Sequence, residues 1–180
     1  MKIGIIYGSS RPSTVGNSVA KWVESNGEFG DHHIELIDLS DANLPLVPEA
    51  MSPMMNKGQQ YETSEIQEWS SKVKELDAFI FVVAEYNMGY TPLLKNAIDV
   101  LFHEWVNKPV AYVSYGSYPT STAVEQLRTV MIPFKSDQVD ATVHIAPAYE
   151  AVAADGSVDD SKVVGSLQSV IDELIAKLQS

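Results

Sequence analysis

Residues 78–84 read Ala78-Phe79-Ile80-Phe81-Val82-Val83-Ala84, seven apolar positions with no polar alternation. A strand with one wet face alternates apolar and polar side chains, so this run describes a strand covered on both faces, as in a parallel sheet flanked by helices. Shorter β-type runs recur on either side of it, at Lys2 to Tyr7, His33 to Asp38, Val110 to Tyr115 and Ala141 to Ile145. The segments between them carry apolar residues at helical spacing. The first has Val15, Val19, Trp22 and Val23, and the second Ile66, Trp69, Val73 and Leu76. The third has Leu94, Ala97, Ile98, Leu101 and Trp105, the fourth Val124, Leu127 and Met131, and the last Val164, Leu167, Ile171, Leu174 and Leu178. Five β/α units follow one another, which predicts an α/β fold around a parallel sheet. No Gly, Ser or Pro linker separates two sets of elements and no internal repeat is visible, so residues 1–180 are expected to form one domain.

Composition removes several chemistries. Without cysteine there is no disulfide scaffold, zinc knuckle, iron–sulfur site or thiol nucleophile, and any redox chemistry must come from a bound cofactor. Twelve Lys and Arg against 24 Asp and Glu leave a net charge of −12, the wrong sign for nucleic acid or an anionic membrane. The longest apolar run is Ala78 to Ala84, against about 20 residues for a membrane span. The start, Met1 to Tyr7 and then Gly8-Ser9-Ser10, is too short for a secretory leader, so a cytoplasmic location is expected. His32, His33, His103 and His144 show no metal-ligand spacing; His103-Glu104 opens like a zinc-protease motif, but position 107 is Asn107. Gly116-Ser117 lacks the rest of a nucleophile elbow. The acids Glu150, Asp155, Asp159 and Asp160 read as a solvated turn, with Ser157 or Asp159 capping the last helix. Arg128, three residues after Glu125, suits a helix-surface ion pair.

In an open parallel sheet, ligands bind beyond the carboxyl ends of the strands. Three loops lie there, Gly8 to Asn17, Glu85 to Thr91 and Gly116 to Ser121. The first, Gly8-Ser9-Ser10-Arg11-Pro12-Ser13-Thr14-Val15-Gly16-Asn17, is rich in small hydroxyl residues and runs into a helix N-terminus, which suits a phosphate. It is neither a Walker loop nor Gly-x-Gly-x-x-Gly, so a mononucleotide phosphate fits better. It also holds Arg11, one of only two arginines in the chain. Ser13 or Thr14 would cap the helix in either case. The second loop, Glu85-Tyr86-Asn87-Met88-Gly89-Tyr90-Thr91, offers aromatic planes and amide groups to a planar heteroaromatic ring, although Tyr86 and Tyr90 could equally be packing residues. The long connection from Leu44 to Gln60, with Met51, Met54 and Met55, reads as a lid or as a wandering connection.

These residues resemble the NAD(P)H-dependent FMN reductases of the flavodoxin-like superfold, relatives of quinone, azo-dye and chromate reductases. Gly8-Ser9-Ser10-Arg11 is similar to that family's Gly-Ser-x-Arg loop. Ala84-Glu85-Tyr86-Asn87 followed by Leu94-Lys95-Asn96-Ala97-Ile98-Asp99 is similar to its Pro-Glu-Tyr-Asn and Leu-Lys-Asn-Ala-Ile-Asp signature, with Gln126-Leu127-Arg128 in support. The resemblance implies a three-layer, doubly wound, five-stranded parallel sheet in the order 2-1-3-4-5, noncovalent FMN, and a homodimer or homotetramer. Ser9, Arg11 and the Thr14, Val15 and Gly16 amides would then hold the FMN phosphate. Glu85, Tyr86, Asn87 and Met88 would line the isoalloxazine, largely through backbone groups, with Ser114, Tyr115 and Gly116 on its opposite side. The third loop, Gly116-Ser117-Tyr118-Pro119-Thr120-Ser121, departs from the family's glycine-rich stretch and following arginine. The implied activity is hydride transfer from NADH or NADPH to FMN and onward reduction of a small acceptor (flavin, quinone, azo compound or metal oxyanion) by a ping-pong route, with no side chain as acid or base. A flavodoxin-type electron carrier is the alternative, disfavoured by Gly-Ser-x-Arg in place of a Gly-Asn-Thr loop.

Overall fold

A computed structural model describes residues 1–9, 15–46, 50–119 and 121–180. Its strands are β1 (Lys2–Tyr7), β2 (His33–Asp38), β3 (Ala78–Ala84), β4 (Pro109–Tyr115), β5 (Asp137–Ile145) and β6 (Val163–Val164). Its helices are α1 (Val15–Asn26), α2 (Ser64–Lys74), α3 (Pro92–Asp99), α4 (Thr122–Met131), the single turn α5 (Ala148–Ala151) and α6 (Leu167–Leu178). The sheet runs β2-β1-β3-β4-β5-β6, parallel through β5. The expected order 2-1-3-4-5 is therefore present, with a sixth strand added.

β3 sits centrally and its pleat divides its side chains between two cores. Phe79, Phe81 and Val83 pack with Ile66, Trp69 and Val73 of α2, Ala97 and Ile98 of α3, and Leu127 and Met131 of α4. Ala78, Ile80, Val82 and Ala84 face Val19 and Val23 of α1 and Val170, Ile171 and Leu174 of α6. This is why the seven-residue run shows no polar alternation, because both of its faces are dry.

Six local expectations need correction. The sheet has six strands, not five: Val163 and Val164 pair antiparallel with Ile145 and His144, and two residues carry too little periodicity to register in the sequence. Val164 therefore lies outside the last helix, which begins at Leu167 after an N-cap on Ser166. Asp159 instead caps the short turn Asp160–Lys162. The third helix stops at Asp99, before Leu101 and Trp105: the indoles of Trp69 and Trp105 donate to the carbonyls of Ala97 (2.8 Å) and Ile98 (3.2 Å), satisfying acceptors that another helical turn would have used. β5 begins at Asp137, before Ala141, in a polar stretch that breaks register with β4 between Val110 and Tyr112. Arg128 donates to the Asp140 carbonyl (3.1 Å) and stacks on the Tyr112 ring, with no ion pair to Glu125 among the described residues.

In the Leu44 to Gln60 connection, Asn96 Nδ2 donates to the Leu44 and Pro45 carbonyls (3.2 and 3.1 Å), while Met51, Met54 and Met55 are exposed. No helix among the described residues is long and apolar enough to cross a membrane.

Candidate functional site

The strand order reverses at β1, with β2 on one side and β3 on the other, so a crevice is expected above the β1 and β3 carboxyl ends. A cleft of about 700 Å³ opens beside that point, lined by Glu85, Tyr86, Asn87, Met88, Ser117, Tyr118 and Pro119. Its volume is within the range of small-molecule sites.

The loop after β3 is built rigidly. Tyr86 and Gly89 exchange two backbone hydrogen bonds (2.7 and 3.0 Å), which leaves Asn87 (φ 49°) and Met88 (φ 66°) as the two central residues of a tight reverse turn. Two consecutive left-handed residues define the type I′ turn. Asparagine tolerates that conformation; methionine does so at a cost of roughly 1–2 kcal/mol. Three anchors hold the turn in place. Gln126 of α4 donates to the Met88 carbonyl (2.9 Å), the Tyr86 hydroxyl pairs with Ser9 Oγ (2.6 Å), and the Glu85 carboxylate accepts from the Ala123 N–H (3.0 Å). A carboxylate at the first turn of α4 also complements the helix dipole. The Glu85 amide is bonded to the Tyr115 carbonyl (3.0 Å), and at the centre of the turn the N–H groups of Asn87 and Met88 have no partner among the described residues.

The opposite wall hangs on a buried histidine. His144 Nε2 lies 2.5 Å from the Tyr118 carbonyl and Nδ1 2.7 Å from Ser114 Oγ. A carbonyl only accepts, so Nε2 carries the proton and donates; in the neutral ring Nδ1 accepts from the Ser114 hydroxyl. This pins the backbone of the third loop and leaves the Tyr118 side chain exposed at the cleft.

The structure thus brings Glu85, Tyr86, Asn87 and Met88 together on the cleft, with Ser9 joined to Tyr86. Ser114 points behind the third loop to His144, the Tyr115 ring turns beneath α1, and Gly116 lies beneath the loop, its Cα facing the Glu85 side chain. Val15 and Gly16 form the first turn of α1, and Arg11 and Thr14 lie outside the described residues. The cleft also uses Ser117, Tyr118 and Pro119, whose loop the sequence places at this end of the sheet without marking them as contacts, and His144, which it does not connect to the site, supports them. Among the described residues no cluster of three or more His, Asp or Glu could hold a metal.

The profile of the NADPH-dependent FMN reductase family matches residues 1–150. The chain belongs to that family. It is similar to the NAD(P)H-dependent FMN reductase LOT6 of Saccharomyces cerevisiae, 34% identical over 96% of this chain and 97% of that one. It is also 32% identical to an NAD(P)H-dependent FMN reductase of Schizosaccharomyces pombe, over 99% of this chain and 91% of that one. Among solved structures, the fold is similar to the flavoenzyme NAD(P)H:(acceptor) oxidoreductase FerB from Paracoccus denitrificans, with a TM-score of 0.68, 21% identity, and coverage of 99% of this chain and 97% of that one. The matched region of this FMN reductase family member ends within α5, so it takes in all three loops but leaves out β6 and α6.

Proposed function

We propose that the cleft between the second and third loops receives the ring of FMN, and that NAD(P)H and a small electron acceptor use it in turn. The observation that carries this reading is the Asn87–Met88 turn. It is a strained backbone, held from three directions, with two amides unsatisfied among the described residues at the edge of an open cleft. Amides of this kind suit the carbonyl and nitrogen edge of a flavin, and strain of this kind concentrates at binding sites. Family membership supplies the cofactor and donor class: the enzyme is an oxidoreductase working with FMN and NAD(P)H.

When bound, FMN supplies the chemistry of accepting a hydride from a nicotinamide and passing electrons onward. The chain's own residues supply placement. Ser9, Arg11, Thr14, Val15 and Gly16 are assigned to the phosphate end, and Glu85, Tyr86, Asn87 and Met88 to the ring, with Glu85 acting through its hold on α4. Tyr118 and Pro119 form the opposite wall and narrow the approach to the ring. Donor and acceptor are read as sharing this one approach, which gives ping-pong kinetics with a small-molecule acceptor.

The test is an absorbance spectrum of protein incubated with FMN and desalted, followed by anaerobic addition of NADH and then NADPH. A retained yellow chromophore bleached by either nicotinamide is the expected result and identifies the donor. Retained flavin that neither donor bleaches would refute the reductase reading, and no retained flavin would refute the cleft as its site.

A further inference from the structure

Tyr115 ends β4 with its ring turned to the α1 side of the sheet and only 8% of its surface exposed. A buried phenol ordinarily finds a partner for its hydroxyl, because an unmade hydrogen bond leaves the desolvation cost uncompensated. The other tyrosines nearby do so: Tyr112 donates to Gln138 Oε1 (2.7 Å), Tyr7 to Asn17 Oδ1 (3.4 Å), and Tyr86 pairs with Ser9. The Tyr115 hydroxyl makes no hydrogen bond to a described residue and, unlike the ring behind it, is open to solvent, so a ligand can reach it. It stands against the first turn of α1, so close that a Cβ on Gly16 would lie 2.9 Å from it. The first turn of a helix presents N–H groups with no intrahelical acceptor and the positive end of the dipole, a setting for an anion. Gly16, having no side chain, leaves the way from the hydroxyl to that turn open. Burial pushes the phenol well above its ordinary range, helped by Tyr86 and the Asp38 carboxylate, so the group remains a donor.

We propose that Tyr115 is a phosphate-recognition residue whose hydroxyl donates to the flavin phosphate at the first turn of α1, giving the site its preference for FMN over dephosphorylated flavin. This rests on reading the cleft as a flavin site, and it moves Tyr115 from the border of the ring, where the family resemblance put it, to the phosphate end. A hydrogen bond to a charged acceptor accounts for about tenfold or more in binding.

Equilibrium titrations that follow flavin fluorescence, with FMN and with riboflavin, test it on wild-type protein and Tyr115→Phe. The variant is expected to bind FMN about tenfold more weakly and riboflavin within twofold of wild type. Gly16→Ala, which sets a methyl against the hydroxyl, is expected to show the same FMN-selective loss, and to add little in the Tyr115→Phe background because the two act through one group. Equal losses for both flavins, or no loss for FMN, overturn the proposal and leave the flavin reading standing. Wild-type protein that binds neither flavin overturns both.

Discussion

Replacing Met88 by glycine separates the cost of the cleft's turn from its use. Met88 has φ of 66° and its side chain is 45% exposed, so the substitution relieves backbone strain and removes little packing. The left-handed conformation costs a side-chain-bearing residue roughly 1–2 kcal/mol. Glycine gives back about 0.5–1 kcal/mol through the greater freedom of its unfolded chain. The difference is a net stabilisation of about 0.5–1 kcal/mol, which for a chain of this length raises Tm by about 1–4 °C. Urea unfolding should show a higher midpoint with an unchanged slope, since the surface exposed on unfolding is the same. Flavin affinity should move the other way, by a few-fold, because a more pliable turn holds its two amides less firmly. Asn87→Gly is the control: asparagine already tolerates this conformation, so the stability gain should be smaller. A Tm that is unchanged or lower in Met88→Gly would refute the claim that the turn stores strain.

Three further outcomes follow from the packing. Lys108 Nζ donates to the Val73 carbonyl at the end of α2, and burial pulls its ammonium down to about 8 from 10.5, against the pull of Asp77 and Glu104. The unfolded chain therefore binds more protons than the native state across that window, so stability should rise with pH from about 8 to about 10; urea midpoints should show the rise in wild type and lose it in Lys108→Met. Glu85→Gln keeps the size of the side chain but removes the charge at the first turn of α4, and should lower stability by about 1 kcal/mol, read by thermal melting. Gly165→Ala places a Cβ 2.2 Å from the Thr142 carbonyl at φ 97°, and should cost more than about 2 kcal/mol in the same assay.

The parts of the fold legible in the sequence were those where one segment carries its own signal. Ala78 to Ala84 announces a strand with two dry faces because every position is apolar, and the spacing of Ile66, Trp69 and Val73 marks α2 in the same way. Elements defined by a distant partner were not legible. Val163 and Val164 become a strand only because β5 offers an edge, and the third helix ends early because two indoles, one of them from α2, occupy its last carbonyls. The site divides similarly. Glu85, Tyr86, Asn87 and Met88 share one turn and were found together. The carboxylate of Glu85 serves α4 through an amide 38 residues away, and His144 reaches Tyr118 across 26 residues, so neither role has a local signature. Tyr115 is an intermediate case: Tyr112 faces one core and Val113 and Tyr115 the other, an alternation that the strand's pleat predicts once the register is known.

The sixth strand also bears on how copies of this protein can meet. An open sheet exposes a rim at each end, and a long, flat rim is a template on which another chain can add strand after strand. At one end Val163 and Val164 cover only His144 and Ile145 before Gly165 turns the backbone away, and farther down the β5 edge the Glu173 carboxylate accepts from the Asp140 and Ala141 N–H groups (2.9 and 3.1 Å). At the other, β2 carries His33, Glu35 and Asp38, with Glu35 tied to Lys2 and Lys72. Both rims are thus short or occupied, and neither presents a long bare strand on which another chain could grow.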